Sequence, residues 1–566
     1  MRHFRIVFVT GFFLISAAAA SAGSFEDGVA AYKNKDYSTA LSLFRPLAES
    51  GDGKARLAVG QMYSLGQGVT QDYAEAAKWF RLAAEQGLAN AQFDLGLFYE
   101  HGKGVTQDYA EAAKWYRLAA DQGNIKAQGN LGVLYTSGKG VPQDDAEAFR
   151  LFRQAAEHSD AHAQGNLGIM YAKGRGAPKD QAQALRWLTA AAKQGDPQAQ
   201  VNLAITYSNG QGVVQDYAEA AKWFRLAADR GDAHAQYNLG VFYEQGKGLK
   251  QDYAEALKWY RLAADHGDPK AQANLGVMYA TGKGTPLDYA EAYRLFRVAA
   301  DRGEPNAQQN LGVMYANGQG VPQDLAEAVK WFTLAAQQGN VRAQFNAGVA
   351  YAHGKGVEQD KQQALKYFRL AADQDDAEAE NTLGYIYDNG DGVEQDEVVA
   401  VGWFHRAALH GSIKGESNLG IMYAYGRGVA QDYTEARKWF RLAADHGDVK
   451  AMNNLAVIHA LGKGTPQSYA EAAKYYRQAA SRGDAHAASM VDKIRHLQAR
   501  EKQRAQSVSN AGARAPMHPV YHPVEAPVFR FSAPVRQERF SSFSGSRPMA
   551  SPFMGAHFGG GHFGRR

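Results

Sequence analysis

One tyrosine constrains this chain more than any other residue. It recurs every 36 residues, at Tyr63, Tyr99, Tyr135, Tyr171, Tyr207, Tyr243, Tyr279, Tyr315, Tyr351, Tyr387 and Tyr423, and His459 takes the twelfth place. The register never slips over residues 53–484, which therefore hold twelve repeats without an insertion. Gly-x-Gly follows each of these positions, from Gly66 and Gly68 to Gly462 and Gly464, and all eight tryptophans share one repeat position. A fixed period of about 20–50 residues marks a stacked array and not a string of globular domains.

Residues 89–124 illustrate the unit. Ala91, Leu95, Phe98 and Tyr99 fall at i, i+4, i+7 and i+8, the stripe of an amphipathic helix. Gly102 stands where a left-handed glycine closes such a helix. Asp108 and Glu111 have the spacing of a capping box, in which Asp108 accepts from the first backbone N–H groups and Glu111 reaches back. Ala112, Tyr116, Ala119 and Ala120 form one face of a second helix, ending near Gly123. Small residues (Gly96, Ala112, Ala119) let the two helices approach closely, while Trp115 and Tyr116 fill the spaces between successive pairs. A lone pair cannot bury both faces, so stability must come from stacking on neighbours.

Other features bound the chemistry. Cysteine is absent, which removes disulfides and thiolate sites. No His-Glu-x-x-His or Gly-x-Ser-x-Gly occurs, and a Gly-x-Gly-x-x-Gly at Gly559, Gly561 and Gly564 follows no strand. No catalytic, cofactor-binding or metal-binding residues are expected, and no cofactor. Arg2 and Arg5, the apolar run 6–20 and Ala20-Ser21-Ala22 read as a signal peptide, residues 1–22, cleaved before Gly23. A periplasmic or secreted chain without a transmembrane segment is expected after that cut. The body is mildly acidic, too weakly charged to suggest nucleic acid. Residues 508–566 mix Pro, Gly, His, Arg and isolated Phe without period, the composition of a disordered tail. Its basic charge suits an anionic envelope surface.

These residues carry a family resemblance. The string Ala161-His-Ala-Gln-Gly-Asn-Leu-Gly-Ile-Met-Tyr171-Ala-Lys-Gly-Arg-Gly176 resembles the first half of a Sel-1-like repeat. Gln71-Asp-Tyr-Ala-Glu-Ala-Ala-Lys-Trp79-Phe-Arg-Leu-Ala-Ala-Glu-Gln-Gly87 resembles the second half. The resemblance implies an all-α fold: a right-handed superhelical α/α solenoid, a relative of the tetratricopeptide repeats, whose first helices line a concave side. Residues 23–52 are similar to a shorter tetratricopeptide-type unit and read as an N-terminal cap. Residues 485–507, with Met490, Val491, Ile494 and Leu497, read as a C-terminal capping helix.

The resemblance also points to binding residues. Asn130, Asn166, Asn202, Asn238, Asn274, Asn310, Asn346, Asn418 and Asn454 recur just before the Leu-Gly or equivalent pair of the first helix. The matching asparagine of tetratricopeptide repeats points into the groove and bonds a ligand's backbone, a task suited to an amide that both donates and accepts. An inter-repeat hydrogen bond would use the same residues, so both readings stay open. Beside this row, the position before the loop varies (Lys173, Asn209, Gln245, Thr281, Asn317, Tyr425), as a specificity position would. The expected function is a non-enzymatic protein-binding scaffold of a bacterial cell envelope. Its rivals are a periplasmic regulator of a membrane signalling protein and, far behind, a cell-wall hydrolase.

Overall fold

The computed structural model describes residues 23–511, and the signal peptide and most of the tail read from sequence lie outside them. The described residues form 27 α-helices and no strand. They divide into two compact units that meet at residues 251 and 252. The first runs from α1 (Gly23–Lys33) and α2 (Tyr37–Glu49) to α13 (Ala233–Gln245), and the second from α14 (Tyr253–Asp265) to α27 (Ala485–Ala511). Within each unit every helix packs on the next in chain order, as a solenoid does.

The repeat at 89–124 shows why. α5 (Ala89–His101) stops at Gly102, whose φ of 65° is left-handed and whose N–H donates to the Phe98 carbonyl. Gly104 is also left-handed, and a Cβ there would overlap the Tyr73 carbonyl of the preceding repeat. The second glycine of Gly-x-Gly is thus required by a backbone-to-backbone contact between repeats. α6 (Tyr109–Asp121) follows, with Ala112, Tyr116, Ala119 and Ala120 buried. A Cβ at Gly96 would lie 2.7 Å from the Tyr116 ring, so glycine is what admits that ring between the helices.

Two local expectations need correction. Asp108 does accept from the N–H groups of Ala110 and Glu111 at 2.8 and 3.1 Å. Glu111 does not reach back, because the Asp108 N–H already donates to the Tyr99 carbonyl across the loop. The Glu111 carboxylate pairs with Lys114 instead, at 3.2 Å. The tryptophans are also less enclosed than expected. Trp259 and Trp331 are buried, whereas Trp115 is half-buried and packs on a cluster shared by its own repeat and the preceding one, around Phe98 and Phe80.

The ends are closed by different means. α1 and α2 lack the Gly-x-Gly loop, and Phe44 packs on the first repeat with Val59 and Met62. α27 buries Met490, Val491 and Ile494 against the last repeat, with Leu497 packed beside them. It runs to Ala511, four residues beyond the expected end at 507, because residues 505–511 contain neither glycine nor proline; Gly512 is the first breaker. Among the described residues no helix is long and apolar enough to cross a membrane.

Candidate functional site

The asparagine row sits at the sixth residue of each first helix, beside the leucine that anchors it to the core. In the first unit Asn202 and Asn238 are buried, and Asn130 and Asn166 are half-buried. Asn130 Nδ2 donates to the Tyr116 hydroxyl at 3.1 Å, and that hydroxyl donates to Glu100 at 2.5 Å. Asn238 Nδ2 turns to its own helix and donates to the His234 carbonyl at 2.8 Å. In the second unit Asn346, Asn418 and Asn454 are buried, and Asn274 and Asn310 are half-buried. Asn418 Nδ2 donates to Asn381 Oδ1 of the neighbouring repeat at 3.0 Å.

The row is therefore mixed. Asn130 and Asn418 make the bridging bond that one reading expected. Asn202, Asn274 and Asn310 hold a buried Nδ2 donor with no acceptor among the described residues. A buried donor left unpaired costs about 1–3 kcal/mol, so three at one repeat position are not neutral decoration. The variable position two turns on is exposed at Thr281, Asn317 and Tyr425 and half-buried at Lys173, Asn209 and Gln245.

Asp94 in α5 occupies the same register, 36 residues before Asn130, and belongs to the row although it is not an asparagine. The spacing alone would have found it. Its carboxyl is buried, with Gln61 Nε2 at 3.4 Å, and that burial pushes its pKa up to about 7; the Gln61 hydrogen bond and the Lys126 charge oppose this only in part.

A second amide row was missed, although the recurring Ala-Gln pair signals it. Gln92, Gln164, Gln200 and Gln308 are buried and donate to the carbonyls of Ala84, Ala156, Ala192 and Ala300 at 3.1–3.2 Å, each at the end of the preceding helix. Several accept in turn from the next repeat, as Gln164 does from Gln194 and Gln308 from Gln338, both at 2.8 Å. The glutamine row thus clamps each repeat to the one before it.

The glutamine row changes in α21 (Ala377–Asn389) and α23 (Ile413–Tyr425), where Glu380 and Glu416 replace it. Glu416 meets His446 at 3.0 Å, and burial raises its pKa. Glu380 meets His410 at 2.8 Å and Arg406 at 2.9 Å. Asp375, Glu380 and His410 form the one group of metal-capable donors among the described residues, within 4.8 Å of one another. The Arg406 guanidinium lies beside both carboxylates and offsets one of their two charges.

Comparison with known proteins agrees with this architecture. The chain is 32% identical to c5321, a protective antigen of uropathogenic Escherichia coli strains with an SLR fold; the match covers 86% of this chain and 99% of that one, with a TM-score of 0.62. A Sel1 repeat protein from Oxalobacter formigenes is also 32% identical, over 43% of this chain and 96% of its own, with a TM-score of 0.41. Among curated proteins none matches the chain. The Sel1 repeat matches residues 53–88, 89–124, 125–160, 161–196, 197–232, 233–268, 269–304, 305–340, 341–376, 377–412, 413–448 and 449–484, so the chain belongs to the Sel1 repeat family.

Proposed function

We propose that this chain is an exported, non-enzymatic scaffold of a bacterial cell envelope that holds a partner polypeptide, in extended form, along the amide row of its first helices. The Sel1 fold is one generally used for protein–protein interaction, which is the coarse part of this reading. The finer part is supported within the second unit by Asn274 and Asn310, which are half-buried and whose Nδ2 donors find no acceptor among the described residues; the Nδ2 atoms themselves are enclosed, so each side chain must turn outward to meet a partner. An extended chain offers backbone carbonyls whatever its side chains, and a carbonyl is the acceptor these donors lack. The variable position two turns on would then select among partners. Export is supported by the charged start, apolar run and Ala-x-Ala site of residues 1–22, and by the similarity to a protective antigen.

The test replaces Asn274 and Asn310 together with Ala and measures melting and partner affinity on the same protein. The partner is first isolated from envelope extract with the unaltered chain and identified. Each lost hydrogen bond is worth about 0.5–1.5 kcal/mol, so affinity should fall roughly 5- to 150-fold. Melting should change little, because no protein acceptor loses its donor. A lowered melting point with unchanged affinity would return the row to a structural role.

A further inference from the structure

The tenth repeat breaks a rule that the others keep on the outer face of the second helix. In nine repeats a Glu at the third helical position pairs with a Lys or Arg three residues on, as in Glu75–Lys78, Glu291–Arg294 and Glu435–Lys438. The basic partner is present in eleven repeats. In α22 (Glu397–Leu409) the two positions hold Val399 and Gly402. The position that ends this outer face is polar in the other eleven repeats and is Leu409 here.

Val398, Gly402 and Leu409 lie at i, i+4 and i+11, and so share one face. That face is open to solvent: Val398 is 68 % exposed and Leu409 65 %, and Ile413 beyond the turn is 39 % exposed. A glycine inside a helix costs about 1 kcal/mol relative to alanine. Here it serves no packing within the fold, since a Cβ at Gly402 would meet nothing within 4 Å. The stripe is a shallow apolar notch stripped of the charges that keep its counterparts solvated.

Its rim is acidic. Of the seven carboxylates in residues 377–412, Glu380 and Asp388 are buried, and Glu378, Asp388, Asp391 and Glu397 pair with Lys414, Arg427, Lys361 and Arg427 of the flanking repeats, so the exposed acids without an ion pair are Glu394 and Asp396, just before α22. Exposed Glu394 precedes α22, and exposed Asp375 meets Arg406 and His410 near its end. The matching chemistry is in the same chain. Residues 512–566 carry seven Arg and two Glu, a net charge of +5, and seven Phe. Four of those Phe and three of those Arg fall within residues 529–543, as Phe529, Arg530, Phe531, Arg536, Arg539, Phe540 and Phe543.

Size favours an attached occupant. A helix of 13 residues is about 20 Å long, so its stripe offers roughly 200 Å² per side, or roughly 400 Å² in total, against the ~1,200 Å² total of a stable free interface. A tether supplies what area does not, because a linked segment is present at a local concentration on the order of millimolar. Residues 529–543 begin 18 residues after Ala511, a reach of roughly 60 Å. α22 lies five helices before α27, about 50 Å at 8–10 Å per packed helix.

We propose that the outer stripe of α22 is the docking site for residues 529–543 of the same chain, with phenylalanine rings on Val398, Gly402 and Leu409 and arginines on the acidic rim. The absence of cysteine gives a clean test. Ser532→Cys or Ser541→Cys is combined in the full chain with Gly402→Cys, or with Lys366→Cys or Lys438→Cys at the same position of the flanking repeats. Disulfide formation within the monomer should be at least about tenfold faster at 402 than at 366 or 438, as a docked tether requires. Adding Val398→Asn and Leu409→Asn, with helicity checked, should abolish that preference. Equal rates at the three positions, or a preference that survives loss of the apolar residues, overturns the proposal. Covalent dimers in place of closed monomers would also overturn it and make a second copy the occupant.

Discussion

Replacing Asp94 with Asn exchanges one carboxyl oxygen for an NH2 group at a fully buried site. The side chain keeps its shape and becomes the amide that nine other repeats carry at that place. In the fold the Asp94 carboxyl is raised from its ordinary 3.8 to about 7, because burial penalises the anion. The folded chain therefore holds this proton more tightly than the unfolded chain does. Stability from this group is complete below pH 4, is lost as pH rises to about 7, and changes no further above that. A gap of ~3 units at 1.36 kcal/mol each sets an upper limit on the order of 4 kcal/mol. Asp94→Asn should thus be more stable than the natural chain by about 2–4 kcal/mol at pH 8, with the advantage gone at pH 4. Repeats open locally, so the readout is hydrogen exchange of α3 (Gly53–Leu65) and α5, corrected for the intrinsic effect of pH. An advantage that is the same at both pH values, or a variant weaker at pH 8, would refute the reasoning.

Two backbone predictions have opposite signs. Gly104→Ala should destabilise its joint by more than about 2 kcal/mol, since a left-handed φ and a carbonyl overlap both oppose the new methyl; Ser159→Gly should stabilise by roughly 1 kcal/mol, because Ser159 holds a φ of 64° where every other repeat but the one with Asp375 has glycine. Denaturant melts of both variants check the pair, and like signs would count against the reading. The mature chain should begin at Gly23 and be found outside the cytoplasm, and N-terminal sequencing that still shows Arg2 in the exported fraction would refute this.

Much of this molecule was legible because its determinants are close together in sequence. Gly102 ends a helix and Asp108 starts one through contacts within a few residues, and both act as their spacing implies. Glu111 was misread because the N–H it should have reached is bound to Tyr99, across a loop whose path the pattern does not specify. The asparagine row was visible as a spacing, yet its roles were not. Asn418 finds its acceptor 37 residues away and Asn238 only four, and identical letters give no hint of that difference. Asp94 was in plain register, but only burial reveals what its charge costs. The outer stripe of α22 shows only when one repeat position is followed through all twelve copies, where Gly402 stands in the place of a Lys or Arg.

The contact of Gly104 with the Tyr73 carbonyl has a consequence for how such a chain can change over generations. The joint is made of main chain and of a glycine, and it barely consults the side chains that distinguish one repeat from another. Any copy can follow any other. Loss or duplication of a 36-residue block leaves every remaining joint intact, and α1, α2 and α27 still cover the two ends. An insertion of one residue has no such freedom, for it would carry the glycine off the carbonyl it must touch. Such a gene can lengthen or shorten its protein in whole steps while selection edits single faces, as it has on the tenth copy.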